Sequence, residues 1–296
     1  MLKRRRSCFG SKIKVLSPAK INLYLNITGK YPGGYHRIES IVERVSLFDR
    51  LTIELTKNQS IDISSNIISL NSKRNLCYKA ASILKSKLSI PYGFKISLNK
   101  KIPIGSGLGG GSSNAASVIL GILALLKLRL EEKELFEFGQ DIGSDVNFFL
   151  SQARFARLSG RGELVEDLKI KKTYQHYIIW PGFGISTRDV YSSKRAKLTN
   201  IFNNANILQY ALGKGLITLL KDNIYNALEE RACLVSKDFI QARNLFFEKN
   251  ISAFMTGSGS AFFTIDLKNY HDPESSLSRI KKIIPKKWSL FRVQTF

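Results

Sequence analysis

The chain is poor in the residues that cross-link a protein or bind soft metals. Its 296 residues include only three cysteines, three histidines, two methionines and seven prolines. Cys8, Cys77 and Cys233 are odd in number, far apart and never spaced Cys-x-x-Cys, which argues against a disulfide framework or a zinc site and fits a reducing compartment. Long apolar runs are missing too. The longest, Val118 to Leu126 with Gly121 inside it, falls far short of the roughly 20 residues of a membrane span. The basic run Lys3–Arg6 is followed by a mixed segment, Ser7 to Val15, with no apolar stretch of the kind a secretory signal needs, so the expected address is cytoplasmic.

Acidic side chains are also scarce, 23 against 46 lysines and arginines, a net charge of +23 that points toward anionic partners. The excess is spread evenly, with 24 basic and 11 acidic residues up to position 155 and 22 and 12 beyond it. Only short clusters stand out, at Lys169, Lys171, Lys172 and at Lys281, Lys282, Lys286, Lys287. That pattern reads as a solvated lysine-rich surface with no obligate nucleic-acid partner. At 44% hydrophobic and 10% aromatic, the chain has material for a packed core, which excludes disorder as its main description.

Alternation of apolar residues through Ile21, Leu23, Leu25 and Ile27 predicts a strand within 13–31. Further strands are expected at Val42–Leu47 and Leu51–Leu55, separated by a turn at Phe48-Asp49-Arg50, with a weaker one over 60–68; together these suggest an antiparallel N-terminal sheet. Helical spacing over Asn75–Leu88 precedes a strand at Phe94–Leu98 and a buried helix at Asn114–Leu126. Glu131 starts another helix, Tyr177–Trp180 is a strand, and two helices broken near Gly213-Lys214-Gly215 fill 207–231. An amphipathic helix follows at Phe239–Asn250. The Gly160-Arg161-Gly162-Glu163 turn is the expected neighbourhood of a domain boundary.

The most informative segment is Pro103-Ile104-Gly105-Ser106-Gly107-Leu108-Gly109-Gly110-Gly111-Ser112-Ser113. Lying between a strand and a buried helix, it can hold an anion with backbone N–H groups and the helix dipole. Gly105-x-Gly107-x-x-Gly110 matches the dinucleotide fingerprint, but another helix follows where a strand ending in an acid is required. No Gly-Lys-Ser closes it as in a P-loop, so any lysine comes from elsewhere in the fold.

Three ordered segments, Ser17-Pro18-Ala19-Lys20-Ile21-Asn22-Leu23, the Gly105–Ser113 loop and Met255-Thr256-Gly257-Ser258-Gly259-Ser260, resemble the motifs of the galactokinase, homoserine, mevalonate and phosphomevalonate (GHMP) kinase superfamily. Gly34-Tyr35-His36 and Gly143-Ser144-Asp145-Val146 resemble the branch that phosphorylates a cytidine-diphosphate-linked polyol. The resemblance implies an α+β, two-domain kinase. Residues 1–155 would form an ATP-binding domain of the ribosomal-protein-S5-domain-2-like type, and 156–296 a ferredoxin-like sheet-and-helix domain. It implies Asp145 as the base that takes the hydroxyl proton and Lys20 as the cation that orients it and stabilises developing charge. Asp141 is a rival carboxylate one helical turn away. ATP with Mg2+ is implied at Asn75, Pro103, Gly105, Gly107, Gly109, Gly110, Gly111, Ser112 and Ser113, with no protein side chain assigned to the metal; Asn75 is equally a plain helix N-cap. Asn22 and His36 are implied polar contacts to the substrate, and Tyr35 and Tyr191 the rings that hold its cytosine. Departures from the pattern are Ser106, Asn147 and Ser260. His176 and His271 sit in ordinary lysine-rich or polar surroundings and are assigned no role. The rival readings are a related kinase for mevalonate, homoserine or a sugar, and a basic nucleic-acid binder.

Overall fold

The computed structural model describes residues 10–193, 204–265 and 276–296. The Lys3–Arg6 run, Cys8 and His271 lie outside the described residues. In chain order the elements begin with β1 (Lys12–Lys30), β2 (His36–Thr56), β3 (Ile61–Ser65), α1 (Leu76–Lys87), β4 (Gly93–Asn99), α2 (Gly110–Leu126), α3 (Glu132–Ile142), α4 (Val146–Leu150), β5 (Phe155–Ser159) and β6 (Leu164–Asp167). There follow β7 (Gln175–Trp180), α5 (Thr187–Ser192), α6 (Ala205–Lys214), α7 (Ile217–Asn223), β8 (Tyr225–Asn226), α8 (Glu229–Val235), α9 (Lys237–Glu248), β9 (Phe254–Met255), β10 (Phe262–Ile265), α10 (Ser276–Ile283) and β11 (Ser289–Gln294). Among the described residues no helix is long and apolar enough to cross a membrane. The chain divides into two compact units, each assembled from separate stretches of sequence.

The first unit takes the chain to Ser17, then Phe48–Ile102 and Gly110–Ser151. Its strand order is β3-β4-β2-β1. β4 runs antiparallel to β2, setting Leu98 against Leu51, Ile96 against Ile53 and Phe94 against Leu55. All six are buried, as period-2 alternation requires. β3 instead runs parallel to β4, with Ile63 opposite Ile96. The sheet is therefore mixed where an antiparallel one was expected, because α1 lies between β3 and β4 as a crossover and a crossover returns the chain in the same direction. Cys77, Ala80, Ala81 and Leu84 make the buried face of α1, which packs on α2.

The expected turn at Phe48-Asp49-Arg50 does not form; β2 continues unbroken from His36 to Thr56. Asp49 falls in register with the inward residues Val45, Leu47, Leu51, Ile53 and Leu55, and is itself fully buried. Its charge is answered locally. Oδ1 accepts from the backbone N–H groups of Lys101 (2.7 Å) and Ile102 (2.8 Å), and Oδ2 from Lys100 Nζ (2.5 Å) and Asn114 Nδ2 (2.9 Å). With every lone pair engaged, the strand has no need to turn and bring the carboxylate to water.

The second unit comprises Pro18–Leu47, Pro103–Gly109 and Gln152–Phe296. One sheet has the order β6-β5-β2-β1-β8, with β5 antiparallel to β2 and β8 parallel to β1. The Gly160–Glu163 segment is the turn of the β5–β6 hairpin. A second, antiparallel sheet has the order β11-β7-β10-β9. α5, α8, α9 and α10 contribute Val190, Ala232, Phe239, Phe246 and Ile280 to a core with Tyr177, Ile179, Met255 and Phe262. Phe239 and Phe262 stack at 5.1 Å between centroids. The region expected to hold two helices holds α6, α7, β8 and the start of α8; Gly215, left-handed at φ 76°, ends α6. His176 is also not in the polar surroundings expected. It is fully buried, its Nε2 is 2.9 Å from Glu43 Oε2, and Thr295 Oγ1 donates to Glu43 Oε1 at 2.6 Å.

Replacing Asp49 by alanine leaves a buried lysine and two backbone N–H groups without their acceptor. We expect Asp49→Ala to lower unfolding free energy by about 3–5 kcal/mol. Urea denaturation that finds less than about 1 kcal/mol would refute the structural role given to this carboxylate.

Candidate active site

The first half of the glycine run belongs to the second unit. Gly105, Gly107 and Gly109 alternate at φ 66°, 80° and 70°, a conformation closed to most side chains. At Gly107 space is closed as well, since a Cβ there would collide with the Thr256 carbonyl oxygen; one on Gly257 would sit 2.5 Å from the Gly107 carbonyl oxygen. The second and third motif segments therefore meet backbone to backbone. Ser106, one of the departures, is buried, donates Oγ–H to the Pro103 carbonyl (2.7 Å) and accepts on its own carbonyl from Ala261 N–H (3.1 Å). Ser260 donates to the Phe183 carbonyl. Both extra hydroxyls are thus satisfied inside the fold.

The first motif joins the same cluster. Lys20 N–H donates to the Leu108 carbonyl at 3.0 Å, and Asn22 N–H donates to Thr256 Oγ1 at 2.9 Å. Lys20 is only 4% exposed, unlike a strand lysine reaching for water, and its Nζ donates to Asn22 Oδ1 at 2.5 Å. Asn22 Nδ2 donates in turn to Ser40 Oγ at 2.9 Å. A buried ammonium held by a fixed acceptor cannot swing, so its charge is already oriented before any anion arrives.

The rest of the glycine run lies in the first unit. α2 starts at Gly110, four residues earlier than its apolar pattern suggests, so Gly110, Gly111, Ser112 and Ser113 form its first turn, where backbone N–H groups have no intrahelical partner. The two serines differ. Ser113 is fully buried with Oγ 2.8 Å from Ser17 Oγ, whereas Ser112 is half-buried. A Cβ on Gly143 would come 4.0 Å from Ser112 Oγ, which brings the Gly143-Ser144-Asp145 turn beside the start of this helix. Asp145 is half-buried at the N-cap position of α4 and makes no capping bond. Asp141 faces solvent and pairs with Lys87 at 2.8 Å. Asn147, the third departure, is fully buried, and Gly139 supplies the room its amide oxygen occupies. Asn75 is the N-cap of α1, accepting from Cys77 N–H and donating to the Leu70 carbonyl, each at 2.9 Å.

The residues implied for the substrate base lie in the second unit. His36 and Tyr191 are ring neighbours, 5.4 Å between centroids at 43°. Tyr35 is 62% exposed with the Arg161 guanidinium 5.1 Å above its ring. Arg231, which sequence reasoning missed, reaches both members of the ring pair: Nη1 donates to the Tyr191 carbonyl at 3.1 Å and faces His36 Nε2 at 3.5 Å. Burial first, then Arg231 and Lys30, hold the His36 pKa below its ordinary value. Thr256 could have been found from its place in the third motif; nothing in the sequence around Arg231 separates it from a surface charge. Among the described residues no three His, Cys, Asp or Glu side chains form a group that could hold a metal.

Residues 75–152 match the family model described as the GHMP kinases N terminal domain. A 4-diphosphocytidyl-2-C-methyl-D-erythritol kinase of Alkaliphilus oremlandii is 35% identical over 274 residues, covering 91% of this chain and 92% of that one. One from Bacillus cytotoxicus is 34% identical over 255 residues, covering 85% and 87%. A crystal structure of 4-(cytidine 5'-diphospho)-2C-methyl-D-erythritol kinase superposes with a TM-score of 0.76 at 28% identity, covering 95% of this chain and 99% of that one.

Gly34 and Gly107 have nearly the same φ, 85° and 80°, but a Cβ on Gly34 meets nothing within 4 Å. Gly34→Ala should therefore cost only backbone strain, about 1–2 kcal/mol, and Gly107→Ala at least about 2 kcal/mol more because the backbone at Thr256 has to move. Equal losses in chemical denaturation would mean that the backbone approach is not a constraint.

Proposed function

The chain belongs to the 4-diphosphocytidyl-2-C-methyl-D-erythritol kinase family, and on that premise we propose that it transfers the γ-phosphoryl group of ATP to the 2-hydroxyl of 4-diphosphocytidyl-2-C-methyl-D-erythritol. The observation that supports this reading most is the buried Lys20–Asn22–Thr256 cluster against the Gly105–Gly109 backbone: a fixed cation beside a phosphate-type loop. Phosphoryl transfer needs positioning and charge stabilisation of this kind.

In the proposed reaction Asp145 takes the proton of the 2-hydroxyl as its oxygen attacks the γ-phosphorus. The new O–P bond forms while the bond from the γ-phosphorus to the β,γ-bridging oxygen breaks, and ADP departs with that electron pair. Lys20 stabilises negative charge developing on the reacting oxygens. N–H groups of Gly105–Gly111 and the start of α2 hold the nucleotide phosphates, with Pro103 and Asn75 at its margins and the Ser112 hydroxyl placed better than that of Ser113, which is engaged with Ser17. Magnesium would have no carboxylate cage among the described residues; Ser112 or Ser113 or water alone would complete its shell, and it would supply charge neutralisation for the phosphate oxygens.

Tyr35 and Tyr191 are the proposed rings that hold cytosine, and His36 and Asn22 the proposed polar contacts to the substrate. An exposed tyrosine near a histidine–tyrosine pair suits a substrate that carries a base; mevalonate or homoserine would leave it without purpose. A division near 155 into an ATP-binding and a C-terminal domain stays a proposal: the family match ends at residue 152, while Pro18–Leu47 and Pro103–Gly109 group with the residues beyond it. Cysteine usage favours the cytoplasm.

A coupled ADP-release assay across 4-diphosphocytidyl-2-C-methyl-D-erythritol, free methylerythritol, mevalonate and homoserine should show turnover with the first alone; turnover of mevalonate without it would overturn the assignment. Asp145→Asn should lower kcat by about 10²–10⁴-fold, with Asp141→Asn near neutral because its carboxylate serves Lys87 at the surface.

A further inference from the structure

Arg231 is a charged residue in an unusual place. Only 4% exposed, on the short helix α8, it forms no ion pair among the described residues, and its Nε finds no hydrogen-bond partner. Burying a guanidinium without a counter-ion among the described residues is costly to stability. What it touches points to a use. Nη1 donates to the Tyr191 carbonyl, at the last turn of α5, and approaches the Nε2 of His36 at 3.5 Å, so one cation reaches both halves of the ring pair.

A guanidinium has only protons to offer. The imidazole nitrogen facing it therefore has to present a lone pair, which leaves the proton on Nδ1. A protonated His36 would set two cations against each other, and both burial and Arg231 disfavour that form. At the same time the bond to the Tyr191 carbonyl fixes the end of α5 that carries the second ring.

We propose that Arg231 is a positioning residue for the base-binding end of the substrate site, fixing His36 as the neutral tautomer protonated on Nδ1 and holding Tyr191 beside it. The proposal rests on the reading of Tyr191 as one of the rings that hold cytosine and of His36 as a polar contact to the substrate. Its consequence is chemical: His36 offers a donor to the substrate, and cytosine presents acceptors at O2 and N3. Lysine is no equivalent, because an ammonium lacks the planar fork that reaches two acceptors at once.

The protein has three histidines, so ¹⁵N-histidine spectra with His36→Asn as the assignment control report the tautomer directly, without substrate. The expected result is a protonated Nδ1 in the unsubstituted protein; a proton on Nε2 would overturn the proposal, even where a variant fails to fold. Arg231→Met should abolish the tautomer preference and raise KM for the cytidylyl substrate about tenfold, with kcat and KM for ATP within about twofold. In a His36→Asn background the same substitution should add less than about twofold; a full tenfold effect there would show that Arg231 acts through packing alone. Absence of turnover with the cytidylyl substrate alongside a protonated Nδ1 would overturn the functional reading and leave the Arg231–His36 pairing intact.

Discussion

Two glycines that touch through their backbones set the terms for the second unit. Gly107 and Gly257 approach so closely that neither accepts a side chain, and around that approach the Leu108 carbonyl takes Lys20 N–H while Thr256 Oγ1 takes Asn22 N–H. Three segments far apart in sequence are thereby fixed by main-chain geometry, with side chains left over for chemistry. Lys20 is buried as a result, and its ammonium finds Asn22 because the strand that carries both is pinned at that point. A cation oriented in this way has little reorganisation left when phosphate charge arrives.

Structural and chemical polar groups are separated with similar clarity in the first unit. Asp49, Lys100, Asn114, Ser17 and Ser113 satisfy one another inside the fold. Their network holds Ser113 and Asn114 at the start of α2, where the first backbone N–H groups have no intrahelical partner. Within it Ser113 Oγ lies 2.8 Å from Ser17 Oγ, and Ser112 lies beside the Gly143–Asp145 turn. Glu43, His176 and Thr295 play the scaffold part in the second unit, fully buried and mutually bonded.

Much of this was legible in the chain. Alternation located β1 and β4, helical spacing located α1 and α9, and the glycine-serine run pointed to phosphate binding because it lies between a strand and a buried helix, the kinase reading coming from the resemblance of the three ordered motifs. What escaped did so for a common reason: burial of polar residues depends on partners remote in sequence. Asp49 looked like a turn residue until Lys100, Lys101 and Ile102 came to meet it, and His176 looked ordinary until Glu43 did. Arg231 carries no local signal, since a charge on a short helix normally faces water. The mixed sheet needed recognition that α1 is a crossover, and the units were hidden because β1 and β2 each serve both, so two of their boundaries, after Ser17 and after Leu47, fall inside strands.

The central claim is phosphoryl transfer to an alcohol of an intact cytidine-diphosphate-linked polyol. Phosphorus NMR of a reaction run to completion with ATP and 4-diphosphocytidyl-2-C-methyl-D-erythritol tests it directly. The account predicts one new phosphomonoester resonance for each ADP formed, with the diphosphate signals of the cytidylyl group retained. Inorganic phosphate in place of the monoester, or loss of the diphosphate linkage, would contradict it.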